Sequence, residues 1–115
     1  MALKVKRVYE PPSPEDGVRV LVDRLWPRGL REEKARVDWW AKELAPSHAL
    51  RHFFGHDPQR YKEFLQRYRE ELKGNPALKR LKALSREKTV TLLFGAKEER
   101  YNNARALLEI LSQEP

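Results

Sequence analysis

Two short stretches of the chain gather side chains suited to handling an anion. Asp23-Arg24-Leu25-Trp26-Pro27-Arg28-Gly29 places a carboxylate, two guanidinium groups and an indole within seven positions. Residues 95–103 supply Lys97 and the neighbouring amides Asn102 and Asn103, just where a helical pattern begins. Arginine grips phosphate or carboxylate bidentately, tryptophan stacks on flat rings, and the free N–H groups at a helix start favour negative charge. Brought together, the two stretches predict a pocket for a planar, negatively charged ligand, phosphorylated or nucleotide-like. Arg24, Arg28 and Lys97 would neutralise the anion, Trp26 would shape or stack the pocket, and Asn102 or Asn103 would orient a polar group. Asp23 is the candidate general base, because no histidine, the usual proton carrier near neutrality, lies close to either stretch in sequence.

Each of these residues also has an architectural reading. Asp23 beside Arg24 at a strand end suits an ion pair or a loop cap. Trp26 before Pro27 suits a core anchor, and Arg28-Gly29 a simple turn. Residues 97–100 form the charge run of a solvated helix start, and Asn102 and Asn103 are residue types that cap helices. Convergence of both loops on one edge is what favours a site over these alternatives.

Other chemistries are narrowed by composition. Cysteine is absent, which excludes disulfides, thiolate nucleophiles and cysteine-bound metal. His48, His52 and His56 are spaced by four and would align as metal ligands on one uninterrupted helix. Gly55 is expected to end that helix before His56, so no metal site is assigned, and no cofactor is implied. HExxH, Walker, GxGxxG and GxSxG patterns are all missing.

The elements that must position the two loops follow from hydrophobic patterning. Residues 3–8 alternate apolar and basic side chains and predict a strand; residues 18–23 and 89–94 are apolar runs that predict buried strands. The prolines of residues 11–17 make a rigid connector. Helices are predicted around Val37, Trp40, Ala41 and Leu44, closed by Pro46, and from the Ser47 cap through Phe54, stopped by Gly55. Asp57-Pro58 opens a helix carrying Tyr61, Phe64, Leu65, Tyr68 and Leu72 on one face, ended by Gly74. Asn75-Pro76 opens another with Leu78, Leu81 and Leu84, and the last carries Ala104, Leu107, Leu108 and Leu111. The predicted fold is therefore α/β: one domain spanning residues 1–115, with a small, mostly parallel sheet flanked by helices. The two apolar strands are expected to be parallel neighbours, with ligand beyond their carboxyl ends. Direction of the first strand is left open, because its connection to the second is short for a parallel crossover.

With 115 residues and 13.6 kDa there is material for one modest core, burying about two-thirds of the unfolded surface. A hydrophobic content of 40% and mean hydropathy of −0.81 are polar for a globular chain, yet the aromatic and leucine content excludes disorder. No apolar run is long enough for a membrane span, and the N-terminus lacks the apolar core of a signal peptide, so a cytoplasmic protein is expected. Scarce methionine and amides beside abundant charge resemble a heat-adapted composition. Net charge is +7, concentrated in residues 59–88 with 10 basic and 4 acidic side chains. That surface supports an alternative function: a non-catalytic nucleic-acid or partner-binding module using Arg60, Lys79, Arg80 and Lys82, with Lys62, Arg67, Arg69 and Arg86 nearby. Glu63, Glu70 and Glu71 are interleaved with them, as on the outer face of an ordinary amphipathic helix. A homo-oligomer is a third possibility, with Trp39 as its interface aromatic.

The string Val20-Leu-Val-Asp-Arg-Leu-Trp-Pro-Arg-Gly29, with Leu44-Ala-Pro-Ser47, Thr91-Leu-Leu-Phe94 and Asn102-Asn-Ala104, resembles the YeaO-like branch of the domain-of-unknown-function family 488. The likeness runs over essentially the whole chain. It implies a small bacterial, cytosolic α/β protein and carries no reaction with it. The wider family is expected to have cysteine and histidine in the stretch matching residues 94–105. Gly95, Tyr101 and the asparagines stand there in this chain, so cysteine chemistry does not carry over, whereas the Asp-Arg…Trp-Pro-Arg loop does.

Overall fold

A computed structural model describes residues 2–113 of the chain. Four strands, β1 (Leu3–Arg7), β2 (Val18–Leu21), β3 (Trp39–Trp40) and β4 (Val90–Phe94), form one sheet in the order β1-β4-β2-β3. Every neighbouring pair is parallel. β4 is central and all five of its residues are buried, which explains its unbroken apolar run. β2 lies beside it as expected, with Val18 opposite Val90 and Leu21 opposite Leu93. β1 is also parallel and sits on the other side of β4. The ten residues between Arg7 and Val18 reach at most about 33 Å, enough to return along a strand of five residues without a helix. They include a 3-10 turn, Pro14–Asp16, whose first N–H groups are capped by Ser13. Gly17 follows with φ +65°; a Cβ there would lie 2.2 Å from the Thr89 carbonyl oxygen, so the start of β2 approaches β4 as only glycine allows.

The five helices are α1 (Glu32–Ala35), α2 (His48–Phe54), α3 (Tyr61–Leu72), α4 (Pro76–Glu87) and α5 (Asn103–Gln113). Ser47 and Asn75 cap α2 and α4 through their side chains, while Asp57 caps the 3-10 turn that leads into α3. The predicted apolar stripes of α3, α4 and α5 face the core: Phe64, Tyr68, Leu78, Leu81, Leu107 and Leu111 are all buried. With Val20, Val22, Val90, Leu92 and Phe94 they form one cluster on one face of the sheet.

The helix predicted around Val37, Trp40, Ala41 and Leu44 does not form. Trp39 and Trp40 make the edge strand β3, and Lys42–Leu44 is a single 3-10 turn. Backbone bonds Asp38 N–H to Arg19 O and Ala41 N–H to Leu21 O, both 2.8 Å, hold this segment to β2. The four residues do avoid water, but on opposite sides of the sheet. Ala41 and Leu44 join the helical core, whereas Val37 and Trp40 pack with Trp26 and Leu30 on Val8, Leu21 and Leu93. Helical spacing thus concealed a strand that shares its apolar residues between two faces. The short α1 went unpredicted, since of its four residues only Ala35 is buried.

Loops and the single turn of α1 cover the second face of the sheet. Beneath them lies a buried ion network in which Arg19 Nη1 donates to Asp16 Oδ2 at 2.6 Å and Lys6 Nζ lies 3.1 Å from the same oxygen. The Arg19 guanidinium also donates to the Ala35 and Arg36 carbonyls, and Thr91 Oγ1 donates to the Asp16 carbonyl. Burial opposes the Asp16 charge, but bonds from the Ser13 N–H, Lys6 and Arg19 outweigh it and hold the carboxyl below its ordinary range.

Candidate functional site

Beyond the carboxyl ends of β2 and β4 the chain builds a clasp. Gly95 N–H donates to Asp23 Oδ2 at 2.8 Å, and Asn103 Nδ2 donates to Asp23 Oδ1 at 3.1 Å and to the Val22 carbonyl at 2.9 Å. One carboxylate thereby joins the exits of both strands to the first residue of α5. The Asp23 carbonyl accepts from Trp40 Nε1, which ties β3 to the same point. A Cβ on residue 95 would lie 3.2 Å from Asp23 Oδ2, so glycine permits this close approach. Burial raises the Asp23 pKa; bonds from Asn103 and Gly95 and the positive potential of Arg51 and His56 offset part of the rise.

A cleft of about 650 Å³ opens over this clasp. Its floor is apolar, made of Ala45, Pro46, Phe54, Phe64 and Ala96. Phe54 and Phe64 stack there at 4.1 Å between ring centroids. α2 supplies one wall. Leu50 and Phe54 bury its inner face, which leaves His48, Arg51 and His52, at positions i, i+3 and i+4, along the cleft. Gly55 ends the helix in the left-handed conformation, and His56 follows with φ +56°, its ring edge-on to Phe54 at 5.5 Å. The loop after β2 supplies the opposite side through Arg24 and Leu25. A single nitrogen of Arg24, Nη2, reaches the Ala45 and Pro46 carbonyls at 3.5 and 3.3 Å.

Of the residues singled out in the sequence, Asp23, Arg24 and Asn103 meet at this cleft. Trp26 does not line it; the indole packs edge-on against Trp40 and donates to the Leu30 carbonyl at 2.6 Å. Arg28 and Lys97 are exposed outside the lining, and the Arg28 carbonyl accepts from the Tyr9 hydroxyl. Asn102 is buried and caps α5, its Oδ1 accepting from the Arg105 N–H and its Nδ2 donating to the Glu98 carbonyl. Sequence reasoning missed Arg51 and Leu25 and weighed the three histidines only as metal ligands. The available signal was the i, i+3, i+4 set of His48, Arg51 and His52 opposite Leu50 and Phe54. Among the described residues no three His, Cys, Asp or Glu side chains are grouped as a metal ion would require.

The basic helices carry a different pattern. Arg60 lies 3.8 Å from Asp57 and donates to the Phe53 carbonyl, Arg67 pairs with Glu63, and Lys73 pairs with Glu70 at 3.1 Å. The Arg80 guanidinium sits 4.2 Å above the Trp39 ring, while Lys79 is exposed and Lys82 half-buried. No helix among the described residues is long and apolar enough to cross a membrane.

Fold and site together define an open α/β protein with a parallel sheet and a cleft at the carboxyl edge of its strands. The chain belongs to the DUF488 family: the family model described as the inactive DUF488-N3 subclade matches residues 2–115. The chain is 42% identical over 110 residues to the uncharacterized protein Rv3073c of Mycobacterium tuberculosis, covering 96% of this chain and 93% of that one. It is 39% identical over 112 residues to the uncharacterized protein YeaO of Escherichia coli, covering 96% and 97%. No solved structure matches it.

Proposed function

We propose that the protein binds a small phosphorylated compound in this cleft and holds it without covalent chemistry of its own. The observation that carries the reading is that Arg24, whose Nη2 reaches two backbone carbonyls, lines one cleft with Arg51 and the α2 imidazoles above an apolar floor. A guanidinium held in place by the backbone loses little freedom when it grips an oxyanion. Asp23 is the one carboxylate lining the cleft, beside two arginines and three histidines. Its oxygens already accept from Gly95 and Asn103, which suits a residue that holds the cleft together better than one that takes a proton from a substrate. The matching subclade is described as inactive, which favours binding over turnover, and a chain without cysteine has no thiol nucleophile. A cytoplasmic location is proposed together with this reading.

A thermal-shift screen at low and high salt tests the reading, with inorganic phosphate, sugar phosphates, nucleotides and short oligonucleotides. A ligand present at a hundred times its Kd should stabilise by about 2.7 kcal/mol, a rise in Tm on the order of 10 °C. The rise should vanish in Arg24→Ala and Arg51→Ala, both exposed residues whose loss leaves the Tm of the free protein nearly unchanged. Stabilisation by oligonucleotides alone, lost at high salt, would overturn the proposal and move function to the basic helices.

A further inference from the structure

The cleft is far larger than a phosphate group needs. Its volume of about 650 Å³ falls in the range that encloses an organic ligand of drug-like size. Much of it is walled by carbon: Phe54, Phe64, Ala45, Pro46 and Ala96 offer no charge to an anion. Leu25 stands at the edge of this cleft and is 69% exposed, one of two large hydrophobic side chains left in water among the described residues. The other, Tyr9, has its hydroxyl bonded to the Arg28 carbonyl and the Arg7 guanidinium above its ring, so Leu25 alone of the pair lacks such a local partner.

The nitrogen-bearing side chains of the cleft share a second property. Arg24, Arg51, His48, His52 and His56 all end in flat, delocalised groups, and no lysine lines the cleft although lysines are spread over much of the surface. Lysine is a serviceable point charge for a bare phosphate; flat guanidinium and imidazole groups bind the phosphate and also stack on a ring. Two arginines and one carboxylate suit a single phosphate group better than a chain of them.

Resting on the anion-binding reading above, we infer that the ligand is a nucleoside monophosphate, with its phosphate at Arg24 and Arg51 and its base covered by Leu25. The exposed leucine then has a function: it becomes buried only when the base is present. Burying a leucine side chain against the ring corresponds to a gain in affinity of about tenfold or more over the same phosphate without a base.

Calorimetry with inorganic phosphate, ribose 5-phosphate, AMP, UMP and a 5′-phosphorylated trinucleotide tests this on the full chain. The expected result is that at least one mononucleotide binds about tenfold tighter than ribose 5-phosphate. Leu25→Ala should erase that margin, bringing the mononucleotide down to the affinity that the same variant shows for ribose 5-phosphate; at 69% exposure the substitution should cost the fold little. Equal affinity for phosphate, ribose 5-phosphate and both mononucleotides, all lost in Arg24→Ala, would overturn the base and leave the anion reading standing. A margin that survives Leu25→Ala would overturn the placement of the base. Tighter binding of the trinucleotide than of any mononucleotide would overturn a free nucleotide as the ligand. Binding of none of the five would remove both readings.

Discussion

Replacing Asp16 by alanine should be among the most destabilising single changes in the molecule, while leaving the cleft intact. The Arg19 side chain is only 4% exposed, and its charge faces Asp16 at 2.6 Å. Removing the carboxylate leaves Lys6, which reaches solvent at 19% exposure, and Arg19, which does not. Breaking a buried pair from one side costs about 3–5 kcal/mol, because a charge stays behind without its counter-charge. Arg19 keeps its bonds to the Ala35 and Arg36 carbonyls, which places the loss near the lower end, about 3 kcal/mol. Against a total stability of roughly 6–17 kcal/mol for a chain of this length, that is a large fraction. Urea unfolding followed by tryptophan fluorescence gives the loss directly. The double variant Asp16→Ala, Arg19→Met should lose at least about 1 kcal/mol less than the sum of the two single losses. The pH dependence has a defined sign. The folded-state pKa of Asp16 is lowered, so its contribution is complete above its unfolded value near 3.8 and disappears as pH falls through the folded one. The gap between wild type and Asp16→Ala should therefore be constant from pH 7 to about 5 and narrow below about 4. A loss under about 1 kcal/mol, or single losses that simply add, would refute the view that the pair is electrostatically coupled.

Gly17→Ala should prevent stable folding, or lower Tm by more than about 10 °C, since its Cβ would meet the Thr89 carbonyl oxygen at 2.2 Å at a φ of +65°; thermal unfolding by circular dichroism measures this. Tyr68 is fully buried and its hydroxyl donates to the Leu44 carbonyl, so Tyr68→Phe should cost about 1–2 kcal/mol in urea unfolding with no change in m-value. Asp23 should titrate above 3.8 by carboxyl ¹³C NMR, and a midpoint at or below that value would refute its burial. Because its folded pKa is raised, its ionisation weighs against the folded state, and Asp23→Asn should gain stability relative to wild type as pH rises from about 4 to 7.

The fold was legible where a single physical demand shaped a segment. β4 must be apolar on both faces, and α3 to α5 must be apolar on one, so 89–94 and the three stripes were readable as written. β3 was not, because two residues cannot display a period, and its tryptophans serve opposite sides of the sheet. The site was half legible. Asp23, Arg24 and Asn103 follow from the rule that ligands lie beyond strand ends. Trp26 and Asn102 have the right chemistry, but one is needed to cover Leu21 and Leu93 and the other to cap α5. Arg51 shares an outer face with His48 and His52 that the helical spacing displays, but the approach of that helix to the strand ends is set by tertiary packing and is not written in the spacing. Arg19 was hidden as well, since a charged residue in an apolar run reads as an outward-facing side chain unless its partner, Asp16, is known to fold over it.

The loop that carries Arg24 and Leu25 is also the loop that closes the second face of the sheet. Its Trp26 and Leu30 pack over Leu21 and Leu93, and Trp40 holds the Asp23 carbonyl. Lifting this segment as a lid would expose that apolar face to water, which weighs against an opening step at the mouth of the cleft. Association of the proposed ligand should then follow one second-order phase whose rate rises linearly with ligand concentration and never reaches a plateau. Affinity differences between ligands would reside in how fast each escapes, because none of them has to wait for an opening step.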